Sequence, residues 1–369
     1  MSRISCAASS FPFWALFSTG LVAGAISSIA TKVAYQTPSF GLYSSHYFDK
    51  PWFVSLVMFL SMSLAVPFAV NRISLKMCLL LAIPSIFDLI GSSVQQLGLV
   101  LIPVSSYQML KGSILIFSAI FSTVFLGRKL HAHHVLGVIL CFFALVLVGS
   151  SALLARKDQI KVTTVSDHLM GILFVLLGQI VCAAQYVLEE HLLWEKRVHA
   201  LAMVGIEGAW GVVIMGLVVL PILGRVPGSD VGGVAENTVD TIAMVQSSRG
   251  LHACLGVFFV SCFVFNVCGV MVTRQASAMH HTFLDASRTI FVWLGSLGLF
   301  YCSEEPALGE PLTDWSWLQA LGFVLLVLGQ CVYENVFKKK HQSLSDEEFN
   351  KTLMEPLHHA EDAEGFIHS

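Results

Sequence analysis

Charge is scarce in this sequence. Asp, Glu, Lys and Arg make up 12% of its 369 residues and hydrophobic residues 55%, whereas a soluble domain carries about 25% charged residues. Mean hydropathy is +0.74. The shortage excludes water as the main solvent. A net charge of -3, with basic residues scattered over several loops, also excludes a nucleic-acid partner. No HExxH, GxSxG or other paired catalytic motif occurs, so an enzyme is not expected. The nine cysteines (Cys6, Cys78, Cys141, Cys182, Cys254, Cys262, Cys268, Cys302, Cys331) include no CxxC or other metal-ligand spacing. They read as small buried hydrophobes, and neither a cofactor nor a metal is expected. His131, His133 and His134, and the pair His280 and His281, are discounted as ligands. No carboxylate or cysteine accompanies the first group, and HxHH at the start of a span is expected to set the rings on different faces.

What is present is apolar sequence in lengths of about 20 residues, the length that crosses a bilayer as a helix. Ten such runs occur, at about 11–33, 51–70, 78–101, 105–126, 133–154, 168–190, 201–223, 251–273, 280–301 and 315–337. Lipid offers no partner to an open strand edge, and the alternation of a barrel is absent, so these runs are helices. The expected fold is an all-α membrane protein of ten transmembrane helices in two inverted five-helix repeats. The division is residues 1–10 as a cytosolic N-terminus, 11–154 as the first repeat, 155–167 as a connecting loop, 168–337 as the second repeat and 338–369 as a disordered cytosolic tail. Arg3 is followed by no convincing cleavage site, which favours a retained first helix over a signal peptide.

With a cytosolic N-terminus, eleven basic residues (Arg3, Arg72, Lys76, Arg128, Lys129, Lys196, Arg197, Arg274, Lys338, Lys339, Lys340) lie on one side and six (Lys50, Arg156, Lys157, Lys161, Arg225, Arg249) on the other. That asymmetry puts both termini in the cytosol. The sequon Asn350-Lys351-Thr352 is then out of reach of glycosylation. The loop Gly224 to Gly250, rich in Gly, Asp and Ser, carries no catalytic signature.

The two halves are alike. Phe87-Asp88-Leu89-Ile90-Gly91 aligns with Phe265-Asn266-Val267-Cys268-Gly269, and Leu136-Gly137 with Leu321-Gly322. The register also pairs Gly20 with Gly178 and Lys32 with Glu190, and sets Lys111 opposite Asp285. Five spans per half force the second copy to enter the membrane from the opposite side, the architecture of carriers that alternate between two openings around a midplane site.

Asp88, Lys111, Glu207, Asp285 and Arg288 fall deep inside spans, and Lys32, Glu189, Glu190 and Glu334 nearer their ends. Each would cost about 2.5 to 3.5 kcal/mol at a helix centre facing lipid, so a shared polar cavity is expected. Asp88, Ser92 and Gln95 share one helical face, as do Gln108 and Lys111, and Thr282, Asp285 and Arg288, where Asp285 reaches Arg288 one turn on. The expected solute path is Asp88, Ser92, Gln95, Gln108, Lys111, Glu207, Asn266, Asp285 and Arg288, with Lys32 and Glu190 as a candidate gate. Three deep acids against two bases leave one negative charge for a cationic solute or a proton. The bland alternative is that Asp285 and Arg288 pair only to lock the bundle. The pair Glu189 and Glu190, followed by Glu195, Lys196 and Arg197, reads as a solvated helix end, with Glu190 singled out by its match to Lys32. Glycines at 20 and 24 and at 205, 208 and 211 suit close helix contact. Pro84 is expected to loosen span three, and Pro103 to mark a turn.

Ser105-Ser106-Tyr107-Gln108-Met109-Leu110-Lys111-Gly112, with Phe125-Leu126-Gly127-Arg128, resembles the fourth-span signature of solute carrier family 35, subfamily F. So do Val187-Leu188-Glu189-Glu190, Gly205-Ile206-Glu207-Gly208 and Leu284-Asp285-Ala286-Ser287-Arg288-Thr289. The resemblance covers roughly residues 12–337 and implies the drug/metabolite transporter fold of two inverted five-helix repeats. It implies a small-molecule solute carried across an intracellular membrane, lysosomal or vacuolar before Golgi, ER or mitochondrial, with membrane lipid around it and a homodimer left open. Lys111 stands where the resemblance implies Arg, which keeps the charge and loses the bidentate fork. The competing reading is a membrane scaffold or receptor acting through its tail and loops.

Overall fold

The computed structural model describes residues 12–68, 74–102, 107–108, 110–127, 131–154, 165–196, 198–302 and 314–333. Residues 1–10, most of the connecting loop 155–167 and the tail 338–369 lie outside them. So do Arg72, Pro103, Arg128, Lys129, Arg156, Lys157, Lys161, Arg197, Glu334 and the sequon at Asn350.

The chain is an all-α membrane protein. Its principal helices are α1 (Phe13–Gln36), α2 (Pro51–Ser63), α3 (Ala82–Leu101), α4 (Ile114–Leu126), α5 (Ala132–Leu154), α6 (Val165–Trp194), α7 (Ala200–Ile214), α8 (Arg249–Gln275), α9 (Ala278–Cys302) and α10 (Ser316–Tyr333). Among the described residues, nine helical stretches are long and apolar enough to cross a membrane, and the run Lys111–Leu126 is apolar but shorter. The surface is inside-out relative to a soluble protein. Leu75, Val124, Phe125, Leu217 and Val260 are exposed, while Lys32, Glu189, Glu190, Glu207, Asp285 and Arg288 are buried.

Several spans are interrupted where the sequence supplies a reason. Span three breaks at Leu81 between a short helix, Leu75–Leu80, and α3. Pro84 has no N–H to offer the carbonyl four residues back, and the indole N–H of Trp210 donates to the Cys78 carbonyl at 2.9 Å beside the break. Span four enters α4 through a 3-10 turn, Lys111–Ser113, and α7 passes into a π turn, Met215–Val219. Such irregular turns favour functional segments. Gly127 closes α4 in the left-handed region (φ 63°), where a Cβ would be strained.

Helix packing follows small residues. α3 lies along α6, α1 along α8, α5 along α10 and α7 along α2; α6 also touches α4, and α1 touches α9. Gly91 and Gly98 of α3 abut Cys182 and Val175 of α6, and Gly20 of α1 abuts Cys268 of α8. Gly208 and Gly211 seat α7 on α2 at Met62 and Phe59, and Gly205 abuts Ala65 just beyond α2.

The loop from Gly224 to Gly250 is folded. It holds β3 (Pro227–Asp230) and a helix, Thr238–Ser247, whose start is capped by the Asn237 side chain accepting from Val239 N and Asp240 N. With the hairpin β1 (Pro38–Phe40) and β2 (Ser45–Tyr47) it covers one end of the bundle. Lys50 Nζ donates to Asp230 Oδ1 at 2.6 Å and to Asp240 Oδ2 at 3.0 Å, and His46 Nε2 lies 3.0 Å from Asp240 Oδ2. Glu236 accepts from Trp52 N and Phe53 N at 3.1 and 2.9 Å, closing the first turn of α2.

Candidate functional site

Four of the expected path residues converge inside the bundle. Asp88 of α3, and Asp285 and Arg288 of α9, each act electrostatically on Lys111 at the head of α4. Asp285 Oδ1 sits 2.8 Å from Arg288 Nη2, one turn apart. The contact is an ion pair without an aligned hydrogen bond, because Asp285 Oδ1 receives no directed N–H and Arg288 Nε has no acceptor. The guanidinium rests over the Phe265 ring at 4.4 Å, and Gly24 makes room beside both. Lys111 Nζ stands 5.7 Å from the Tyr107 ring centroid. Among the described residues it has no carboxylate in direct contact. The pair therefore leaves donor and acceptor capacity for a third party.

Polar side chains of α3, α6, α7 and α8, with Tyr107 and Gln108 between α3 and α4, surround this set. Tyr107 Oη lies 3.5 Å from Gln95 Oε1, and Gln95 Nε2 donates to Cys182 Sγ at 3.0 Å. Gln108 is buried with its Oε1 unpartnered. Ser92 and Asn266 are spent locally: Ser92 Oγ donates to the Asp88 carbonyl at 2.7 Å and Asn266 Nδ2 to the Cys262 carbonyl at 2.9 Å. Glu207 is buried on α7 and feels Glu189 and Asp88.

The candidate gate residues are on different contacts. Lys32 Nζ donates to Ser296 Oγ of α9 at 2.6 Å. Glu190 Oε2 accepts from Ala278 N at the start of α9 at 3.2 Å, where a carboxylate suits the positive end of the helix dipole.

Two expectations are overturned. Glu189 and Glu190 are not a solvated helix end; they are 1% and 2% exposed, because α6 runs on to Trp194 and its last turns are packed inside the bundle. The rings of His131, His133 and His134 gather on one side, with centroids 4.0 to 5.6 Å apart, because the chain wraps into the first turn of α5 and His134 Nδ1 accepts from His131 N. His281 is a core histidine, stacked at 4.0 Å on Tyr186 and 3.1 Å from Thr273 Oγ1. A further face escaped the sequence reading: Cys182, Gln185, Tyr186 and Glu189 of α6 point inward. Their spacing of three and four residues in an apolar run is the signal that marks it. Ligand atoms of His46, Asp230 and Asp240 lie within 4.8 Å of one another, as a metal would need, but Lys50 Nζ already bonds both carboxylates.

A bundle with an apolar exterior and opposed charges facing each other inside is the form of a polytopic solute carrier. The family model for solute carrier family 35 matches residues 55–232. Solute carrier family 35 member F6 of Rattus norvegicus is 30% identical over 344 residues, covering 88% of this chain and 89% of the relative. The Homo sapiens member F6 is 33% identical over 258 residues, covering 69% of this chain and 66% of that protein. An uncharacterized protein of Schizosaccharomyces pombe is 30% identical, covering 73% and 78%. This chain belongs to solute carrier family 35, subfamily F. One solved crystal structure shares the fold at TM-score 0.51 with 14% identity, covering 88% of this chain and 96% of its own.

Proposed function

We propose that the protein is a secondary carrier that moves a small polar or charged metabolite across an intracellular membrane by alternating access. Asp88, Lys111, Asp285 and Arg288 line its path. The observation that carries this reading is the convergence of both signs of charge around Lys111, which is held at a 3-10 turn without a direct counter-ion among the described residues. A lock would pair every charge, whereas a solute site keeps some unpaired for its ligand. The packing pattern supports the inverted repeat. Exchanging the halves turns the α3–α6 contact into α8–α1 and the α4–α6 contact into α9–α1, and all four contacts exist. Lysosomal or vacuolar placement, cytosolic termini and a homodimer belong to this reading, with membrane lipid along the exposed groove of about 760 Å³ between α1 and α8, lined by Val22, Ile26, Val257 and Val260.

The test is uptake by purified protein in liposomes, screened over nucleotide sugars, nucleotides, amino acids and organic cations. Saturable uptake of one class, lost in Asp88→Asn and Lys111→Ala, is expected. No uptake of any class by folded protein would favour the scaffold. Absence of a glycan at Asn350 in cells checks the cytosolic tail.

A further inference from the structure

Among the described residues, two carboxyl groups in the bundle have no cation beside them. Glu189 on α6 is 1% exposed and Glu207 on α7 is 2% exposed. The helices that carry and flank them also build a buried apolar cluster that includes Phe59, Met62, Leu89, Leu192 and Met203. Glu189 Oε1 accepts one hydrogen bond, from Gln185 Nε2 at 2.7 Å. Glu189 Oε2 and Glu207 Oε1 are buried without any partner. The polar contact from α3 goes elsewhere, since Ser85 Oγ donates to the Glu207 backbone carbonyl.

Among the described residues, the charged surroundings add acid. Glu189 and Asp88 act on Glu207, and Asp88 acts on Glu189. α2 meets α7 through Phe59, Met62 and Ser63, none of which titrates. The buried residues of α8 include Cys262 and Cys268 but no acid or basic side chain. From α9, His281 stacks on Tyr186, and Arg288 is paired with Asp285. Lys111 acts on Asp88 and Asp285 from a distance.

Ionised carboxylates cannot rest in such surroundings. An unpaired carboxylate at membrane depth costs several kcal/mol, and a like charge nearby adds to it, so one or both groups must hold a proton or meet a cation. A metal ion needs several oxygens converging on one point. Among the described residues, ligand atoms converge in that way at His46, Asp230 and Asp240, and not at the glutamates. A proton needs only one oxygen.

We propose that Glu189 and Glu207 form a proton-binding site, distinct from the Asp285–Arg288 pair, and that its occupancy is the coupling element of the carrier. A proton from the water on one side adds to a carboxylate oxygen of the pair and leaves from it on the other side. No further reactant is needed. Asp88 acts on both the glutamates and Lys111, so loss of the proton is felt at the solute path. The coupling rests on the carrier reading; the proton site does not.

The experiment therefore reads the proton without any solute. Infrared spectra are taken of the full chain in phosphatidylcholine nanodiscs across a pH series. A background of Glu236→Gln with Asp88→Asn is used, because the carboxyl of Glu236, raised to about 7, and the desolvated carboxyl of Asp88 would themselves contribute. A neutral-carboxyl C=O band that shifts on deuteration is expected near neutral pH. It should be diminished in Glu189→Gln and in Glu207→Gln, lost in the double variant, and moved in frequency by Glu207→Asp. A spectrum that already lacks the band at acid and neutral pH overturns the proposal without recourse to any variant. So does a band unchanged in all of these variants. Disappearance of the band on adding sodium, potassium or calcium at constant pH would overturn it in favour of a metal-cation site. If the band behaves as expected and liposomes take up nothing, the carrier reading fails and the proton site stands.

Discussion

Arg288 is fixed by three neighbours: the Asp285 carboxylate, the Phe265 ring and the gap left by Gly24. Removing either partner leaves the other charge buried alone. Asp285→Asn or Arg288→Gln alone should therefore cost on the order of 3 to 5 kcal/mol, read as a fall in thermal midpoint of the detergent-solubilised protein. The double variant should recover most of that stability yet fail in uptake. Wild-type uptake by the double variant would reduce the pair to a bundle lock. This pair was legible in the sequence, since three residues on a helix is a fixed geometry. The burial of Glu189 was not. A Glu-Glu doublet shortly before Glu195, Lys196 and Arg197 has the composition of a wet helix end, and only the packing of α6 against α3 and α4 makes it interior.

Elements make two further predictions. α7 meets α2 where Gly208 lies against the backbone of Met62 and Ser63, and Gly211 against the Phe59 ring. Gly208→Val would push a side chain into backbone that cannot turn away, so a loss of about 1 to 3 kcal/mol and a lower folded yield on size exclusion are expected. Gly216→Val, with nothing within 4 Å, should be silent.

The cap over the bundle end predicts a pH effect. Burial raises the Glu236 carboxyl to about 7, against the two N–H donors from α2 and the charge of Lys50. Burial also pushes Asp240 upward, but the Leu42 N–H, Lys50 and His46 outweigh it and hold Asp240 below the usual carboxylate value. The signs differ. Glu236 favours the folded cap below its unfolded value, and the favour is lost as pH rises through about 7. The contribution of Asp240 is present above its unfolded value and is lost only as pH falls through its still lower folded one. Between about pH 5 and about pH 7 Glu236 titrates, with at most about 3 kcal/mol at stake. Amide exchange at Trp52 and Phe53, corrected for intrinsic rate, should be faster at the upper pH, and Glu236→Gln should abolish the difference. An equal rate at both would remove Glu236 as the titrating group. None of this cap was legible in a loop whose Gly, Asp and Ser content is that of any solvated connection; the order comes from Lys50 meeting carboxylates distant in sequence, with Asn237 capping the helix that follows it.

At the scale of the molecule, hydropathy made the spans readable because lipid permits no other backbone arrangement for long apolar runs. The lateral order of helices was only partly readable, through glycines matched between halves. Gly20 turns to α8 and Gly178 to α3, as an exchange of halves requires. The same exchange bears on movement. α1 holds α9 through Lys32 Nζ and Ser296 Oγ at 2.6 Å, near the end of the bundle that the cap covers. If the halves rock, that contact must open in one state and close in the other, while the Glu190 contact with the start of α9 changes in the opposite sense. Cysteines at both positions of the first contact, Lys32→Cys with Ser296→Cys on a background stripped of other reactive thiols, should be bridged by a short dithiol-reactive spanner. Complete bridging is expected to abolish uptake of whichever solute class the liposome screen identifies, and reduction to restore it. Full uptake through a fully bridged protein would mean that α1 and α9 move as one body, and that the halves do not rock about this contact.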